Sequence, residues 1–103
     1  MTTAITLPAP QIVDFCRRWK IERMEVFGSV LRDDFGANSD VDFLVTFAPE
    51  TRLTYFLLAD AEEELSGIIG HRAEIVIRQG VEESENWIRR EAILSTAEQI
   101  YAA

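Results

Sequence analysis

The chain has 103 residues, enough for one hydrophobic core and too few for two. Its 48% hydrophobic and 27% charged residues exclude a disordered chain, and eighteen acidic against ten basic side chains, a formal charge of −8, argue against direct binding of long nucleic acid through a basic surface. A lone Cys16 excludes an intramolecular disulfide and a multi-cysteine zinc site, which fits a reducing cytoplasm.

No apolar run reaches the roughly 18 residues of a membrane span, and the opening Met-Thr-Thr-Ala-Ile-Thr lacks the basic start of a secretory signal. The expectation is one cytoplasmic domain, residues 1–103, without membrane contact. Repeats, low-complexity tracts and linkers are absent from the sequence, so organisation has to come from periodicity.

After Pro8 and Pro10, Gln11 to Lys20 carries Ile12, Cys16 and Trp19 at helical spacing. From Glu22 to Phe27, Met24 and Val26 alternate with Arg23 and Glu25, the period of a half-buried strand that stops at Gly28. Ser29 to Phe35 reads as a short helix with Ser29 as its N-cap, followed by a turn at Gly36-Ala37-Asn38-Ser39. Asp40 to Phe47 is the strongest strand signal: Val41, Phe43, Val45 and Phe47 share one face, Asp40, Asp42, Leu44 and Thr46 the other.

Leu53 to Ile69 follows as a helix with an apolar stripe of Leu53, Phe56, Leu57, Ala61, Leu65 and Ile68, and Gly67 and Gly70 lie near its end. Arg72 to Arg78 is a third strand, with Glu74 and Val76 on one face, closed by Gly80. Ser84 to Tyr101 places Trp87, Leu94 and Tyr101 one heptad apart and reads as a terminal amphipathic helix. The expected order is helix, strand, helix, strand, helix, strand, helix.

The chemistry concentrates in "FGSVLRDDFGANSDVDFLVTF", residues 27 to 47. Side chains at i and i+2 of a strand project together, so Asp40 and Asp42 form a pair that repels unless a cation lies between them. Hard oxygen ligands of this kind suit Mg2+, which binds one or two carboxylates plus substrate phosphates. Gly28 permits close backbone approach to a ligand, and Ser29 adds a hydroxyl beside N–H groups that attract phosphate oxygens. A phosphate cradle beside a carboxylate pair is equipment for moving a phosphoryl or nucleotidyl group. Glu74 completes the set if its strand adjoins that of Asp40, as a third ligand or as the base for an attacking hydroxyl. Arg32, one turn after Ser29, has either a phosphate or its neighbours Asp33 and Asp34 to pair with.

Gly28-Ser29, ten residues, then Asp40-Val41-Asp42 resembles the signature of the DNA polymerase beta-like nucleotidyltransferase superfamily. The short length and the "FGSVLR…SDVDFLV" context resemble the minimal nucleotidyltransferases (MNT), antitoxin halves of HEPN/MNT toxin–antitoxin pairs, from about Glu25 to the end of the chain. The resemblance implies an α+β fold, a small mixed β-sheet with helices packed mainly on one face, and ATP bound with Mg2+. It also implies transfer of AMP to a tyrosine of a HEPN-type toxin partner. Gly28 and Ser29 would hold the triphosphate, Asp40 and Asp42 the metals, and Glu74 the third acidic position, where the family more often has aspartate.

Simpler roles stand beside these. The aspartates can guard a strand end, His71 can be a loop residue, Cys16 a core residue, and Trp19, Trp87 and Tyr101 core or interface aromatics. An antitoxin that neutralises its toxin by stoichiometric binding is the alternative to a catalytic one. Transfer to a small acceptor such as an aminoglycoside is disfavoured by the lack of a second domain. Homo-oligomerisation is left open.

Overall fold

Val41, Phe43 and Val45 are wholly buried, as three apolar residues on one face of an interior strand must be. The structure is a computed structural model, which describes residues 7–32 and 35–103. The opening Met-Thr-Thr-Ala-Ile-Thr and the Asp33, Asp34 pair lie outside the described residues. In chain order the elements are α1 (Ala9–Arg18), β1 (Ile21–Phe27), a 3-10 turn (Gly28–Leu31), β2 (Val41–Phe47), α2 (Tyr55–Ile69), β3 (Ala73–Ile77), α3 (Arg78–Glu82), α4 (Trp87–Leu94) and β4 (Glu98–Ala102).

The four strands form one mixed sheet in the order β3-β2-β1-β4. β1 runs antiparallel to β2 and β4, whereas β3 is parallel to β2. A parallel neighbour cannot be reached by a hairpin, so α2 serves as the crossover. The α+β class with a small mixed sheet is thus the observed architecture.

The two longer helices cover one face. Ile12, Phe15 and Cys16 of α1 and Ala61, Leu65 and Ile69 of α2 join Met24, Val26, Val41, Phe43 and Val45 in the main core. Burial pushes the Cys16 thiol up to about 12, which keeps it protonated and inert, a core residue. On the opposite face a smaller cluster of Phe27, Leu44, Val81 and Ile93 is covered by α3 and α4.

Three expectations are corrected. The helix α2 begins at Tyr55 rather than Leu53, because Thr54 caps it by accepting from the Leu57 N–H at 3.1 Å. Phe56, expected in its buried stripe, is 84% exposed: it lies roughly 140 to 180° around the helix from Ala61 and Leu65. Gly80 does not close the third strand, which stops at Ile77, and lies in α3 instead.

The largest correction is at the C-terminus, where the expected helix from Ser84 to Tyr101 is divided. The helix α4 ends at Leu94, and the hydroxyls of Ser95 and Thr96 donate back to the carbonyls of Glu91 and Ala92 at 2.5 and 2.6 Å. The chain then pairs with β1 as β4, which satisfies the backbone groups of an edge that would otherwise face water. Trp87 is 62% exposed, while Ile100 and Tyr101 pack against the main core from the strand.

Among the described residues, the charged side chain buried as a whole is that of Glu25. Glu25 is 3% exposed and accepts from the Arg78 guanidinium at 2.5 Å, with Arg23 at 3.4 Å on its other oxygen. Removing one partner of such a pair strands a charge, so Arg78→Ala should cost about 3 to 5 kcal/mol. The double replacement Glu25→Leu with Arg78→Met should cost markedly less. Urea unfolding of the three proteins checks this, and a mild effect of Arg78→Ala alone would contradict it.

Candidate active site

β1 ends at Phe27, and the chain turns at once because Gly28 takes φ +78, a left-handed conformation that favours glycine. A Cβ built at Gly28 would stand 2.5 Å from the Asp42 Oδ2, so a side chain here would displace the carboxylate. The glycine thus serves both the bend and the close approach. Ser29 is not the N-cap expected: Phe27 holds that position without a side-chain bond, and the turn closes within four residues. The Ser29 hydroxyl donates to the Asp40 carbonyl at 3.3 Å, tying the bend to the residue that precedes β2.

Strand register brings the acidic residues together. Phe27 pairs with Asp42 across β1 and β2, and Asp42 pairs with Glu74 across the parallel β2 and β3. The adjacency of the two acidic strands is therefore present. Burial first, then the charges of Glu74 and Asp40 and a hydrogen bond with Glu74, push the Asp42 carboxyl up to about 6, against the pull of the Arg32 charge. Two carboxyl groups can share a hydrogen bond only when one carries a proton. Among the described residues no three His, Cys, Asp or Glu side chains close into a ready-made metal cage. Asp42 and Glu74 meet directly, and Asp40 acts on Asp42 through its charge.

Arg32 lies just past the turn, in extended backbone rather than on a helix, close enough for its charge to act on Asp42. His71, expected to be a plain loop residue, packs its ring on Phe35 at 5.1 Å, with Nδ1 buried and without a hydrogen-bond partner among the described residues.

Beside the bend opens a cleft of about 650 Å³, lined by Phe27, Gly28, Leu31, Arg32, Ala92, Ile93, Thr96 and Glu98. Its wall from α4 and β4 was not visible in the sequence, where these residues read as one helix. A second hollow of about 590 Å³ surrounds Arg23 and Arg78, four strand positions from the Asp42 row. Those guanidinia are tied to Glu25 and Glu82, whereas the first cleft meets the acidic row through Gly28, whose position abuts Asp42.

The crowding of Asp42 has a measurable sign. Its folded pKa lies above the ordinary value of 3.8, so the folded state holds the proton more tightly than the unfolded chain. The contribution of Asp42 to stability is fully present below about pH 4 and is lost as pH rises through about 6. Asp42→Asn should therefore melt at a higher temperature than wild type at about pH 7.5 and flatten the slope between pH 4 and 6. Thermal melts across that range check both; an Asn variant no more stable, with the slope unchanged, contradicts the account.

The nucleotidyltransferase domain model matches residues 11–98. A protein assigned as a minimal nucleotidyltransferase is 31% identical, with a TM-score of 0.64 over 90% of this chain and 87% of that one. A toxin–antitoxin complex crystallised with AMP-PNP contains a chain of 16% identity and TM-score 0.70, covering 94% of this chain and 75% of that chain. The complex of a tri-AMPylated Shewanella oneidensis HEPN toxin with its MNT antitoxin matches at 12% identity and TM-score 0.61, over 92% and 70% of the two chains. At the last two identities the likeness is one of fold. No protein of curated function matches. The family match runs from α1 to the first residue of β4 and takes in both acidic strands, and on it the chain belongs to the nucleotidyltransferase domain family.

Proposed function

We propose that the chain is a Mg2+-dependent protein adenylyltransferase, a single cytoplasmic domain that moves AMP from ATP to a tyrosine hydroxyl of a HEPN-type toxin and acts as its antitoxin. The observation that carries this reading is the in-register contact of Asp42 with Glu74, crowded by Asp40 beside a glycine whose missing Cβ leaves room for the carboxylate. Support for donor and acceptor comes from the AMP-PNP bound in one structural neighbour and the AMPylated toxin of another.

The residues fit a divalent cation. Their donors are hard oxygens in negative excess, and Mg2+ needs only one or two protein carboxylates when phosphates and waters complete its shell, so the lack of a closed cage is no obstacle. Asp40, Asp42 and Glu74 would hold it. When bound, it supplies charge neutralisation for the triphosphate and the transition state.

The chain's own groups do the remainder. Backbone N–H groups of the Gly28-Ser29 bend and the Arg32 guanidinium hold the triphosphate and orient its α-phosphorus. The tyrosine oxygen attacks that phosphorus, a new P–O bond forms, the bond to the β-phosphate oxygen breaks, and pyrophosphate leaves. Glu74 accepts the phenolic proton.

Incubation with α-labelled ATP, Mg2+ and a HEPN-type toxin should place label on that protein. Glu74→Gln should slow transfer about a hundredfold or more. A second reading, neutralisation by stoichiometric binding, draws on the formal charge of −8, which suits contact with a basic face of a partner. A folded Asp40→Asn, Asp42→Asn double variant separates the two. Loss of protection against the toxin supports catalysis, whereas full protection without label transfer overturns it.

A further inference from the structure

We propose that Glu98 selects the nucleoside half of the donor, accepting a hydrogen bond from a sugar hydroxyl or a base N–H inside the cleft beside the Gly28 bend. The proposal rests on the nucleotide-donor reading above and adds a residue outside the acidic strands. Glu98 is the first residue of β4, held against β1 opposite Val26. It lines the cleft of about 650 Å³, within the range of small-ligand sites, with Phe27, Leu31 and Ile93 as apolar walls.

Its Oε2 is closed off from solvent with no hydrogen-bond partner among the described residues, so a ligand in the cleft engages it as the side chain turns toward the opening. A buried polar oxygen without a partner is uncommon and costly, and a carboxylate can only accept, so a group that satisfies it has to donate. The phosphates of a nucleotide are acceptors and anions, which Glu98 repels. The sugar and the base carry the donors.

Gly28 belongs to both the cleft and the Asp42 contact, so a ligand with its phosphates at the bend extends its nucleoside along the wall that ends in Glu98. Arg32, on the same wall, places positive charge at the phosphate end. A site built to pair a buried acceptor discriminates against an analogue lacking the donor more sharply than an apolar pocket does.

Calorimetric binding to the full chain with Mg2+ tests this for wild type, Glu98→Ala and Glu98→Gln. The probes are ATP, its 2′-deoxy and 3′-deoxy analogues, purine riboside triphosphate, which lacks the exocyclic amine, and inorganic triphosphate. Wild type should bind one class of analogue about tenfold or more weaker than ATP. Weakness of the deoxy analogues assigns the donor to the sugar, and weakness of purine riboside triphosphate assigns it to the base. Glu98→Ala should bind ATP as weakly as that analogue, so that discrimination falls within about twofold, with inorganic triphosphate unaffected. Glu98→Gln, which keeps an acceptor oxygen and loses the charge, should fall between. ATP bound by Glu98→Ala as tightly as by wild type overturns the assignment, as does equal weakening of inorganic triphosphate, which marks a structural role. Failure of wild type to bind any nucleotide would sink the donor reading itself, and Glu98 with it.

Discussion

Adjacent strands stand about 4.8 Å apart, and a parallel pair in register aims its side chains to the same side at that spacing. For Asp42 and Glu74 this forces two carboxyl groups together, the first partly buried and the second exposed, with a third acidic residue two positions along the chain. Much of the fold arranges this encounter. The α2 crossover makes β3 parallel to β2, the Thr54 cap and the left-handed Gly70 set where that helix starts and stops, and the main core beneath fixes the register. Gly28 then leaves space at the end of β1 for the carboxylate that the register delivers.

The arrangement is held against its own repulsion. Below about pH 6 a proton on Asp42 relieves it, because the charges of Glu74 and Asp40 then no longer face a negative charge there. The buried Glu25, two positions before Phe27 on the neighbouring strand, shows the contrasting solution, since a carboxylate meant to stay put is matched by the permanent charges of Arg78 and Arg23.

The acidic row was legible in the sequence because it is local in cause. Alternation in residues 40–47 sets which face Asp42 takes and alternation in residues 72–78 does the same for Glu74, while the adjacency of the two strands was a condition that the observed register meets. The role of Ser29 was less so, because the left-handed Gly28 replaces a capped helix by a four-residue turn, and nothing in the residue types announces the difference. The C-terminal segment was not legible. Trp87, Leu94 and Tyr101 fit a heptad, yet the free edge of β1 recruits residues 98–102 as a strand, a long-range demand that no local pattern records. With that strand came Glu98 and one wall of the cleft, which is why the sequence showed the Gly28 side of the cleft and not the wall opposite.

The encounter of the carboxylates is tested most directly by following the Asp42 side-chain carboxyl carbon by NMR as pH is varied, in wild type and in Glu74→Gln. The account predicts a wild-type midpoint near 6 that moves toward the ordinary aspartate range when the Glu74 charge is removed. A midpoint near 4 in both proteins would contradict it, because Asp42 would then be neither buried nor facing Glu74.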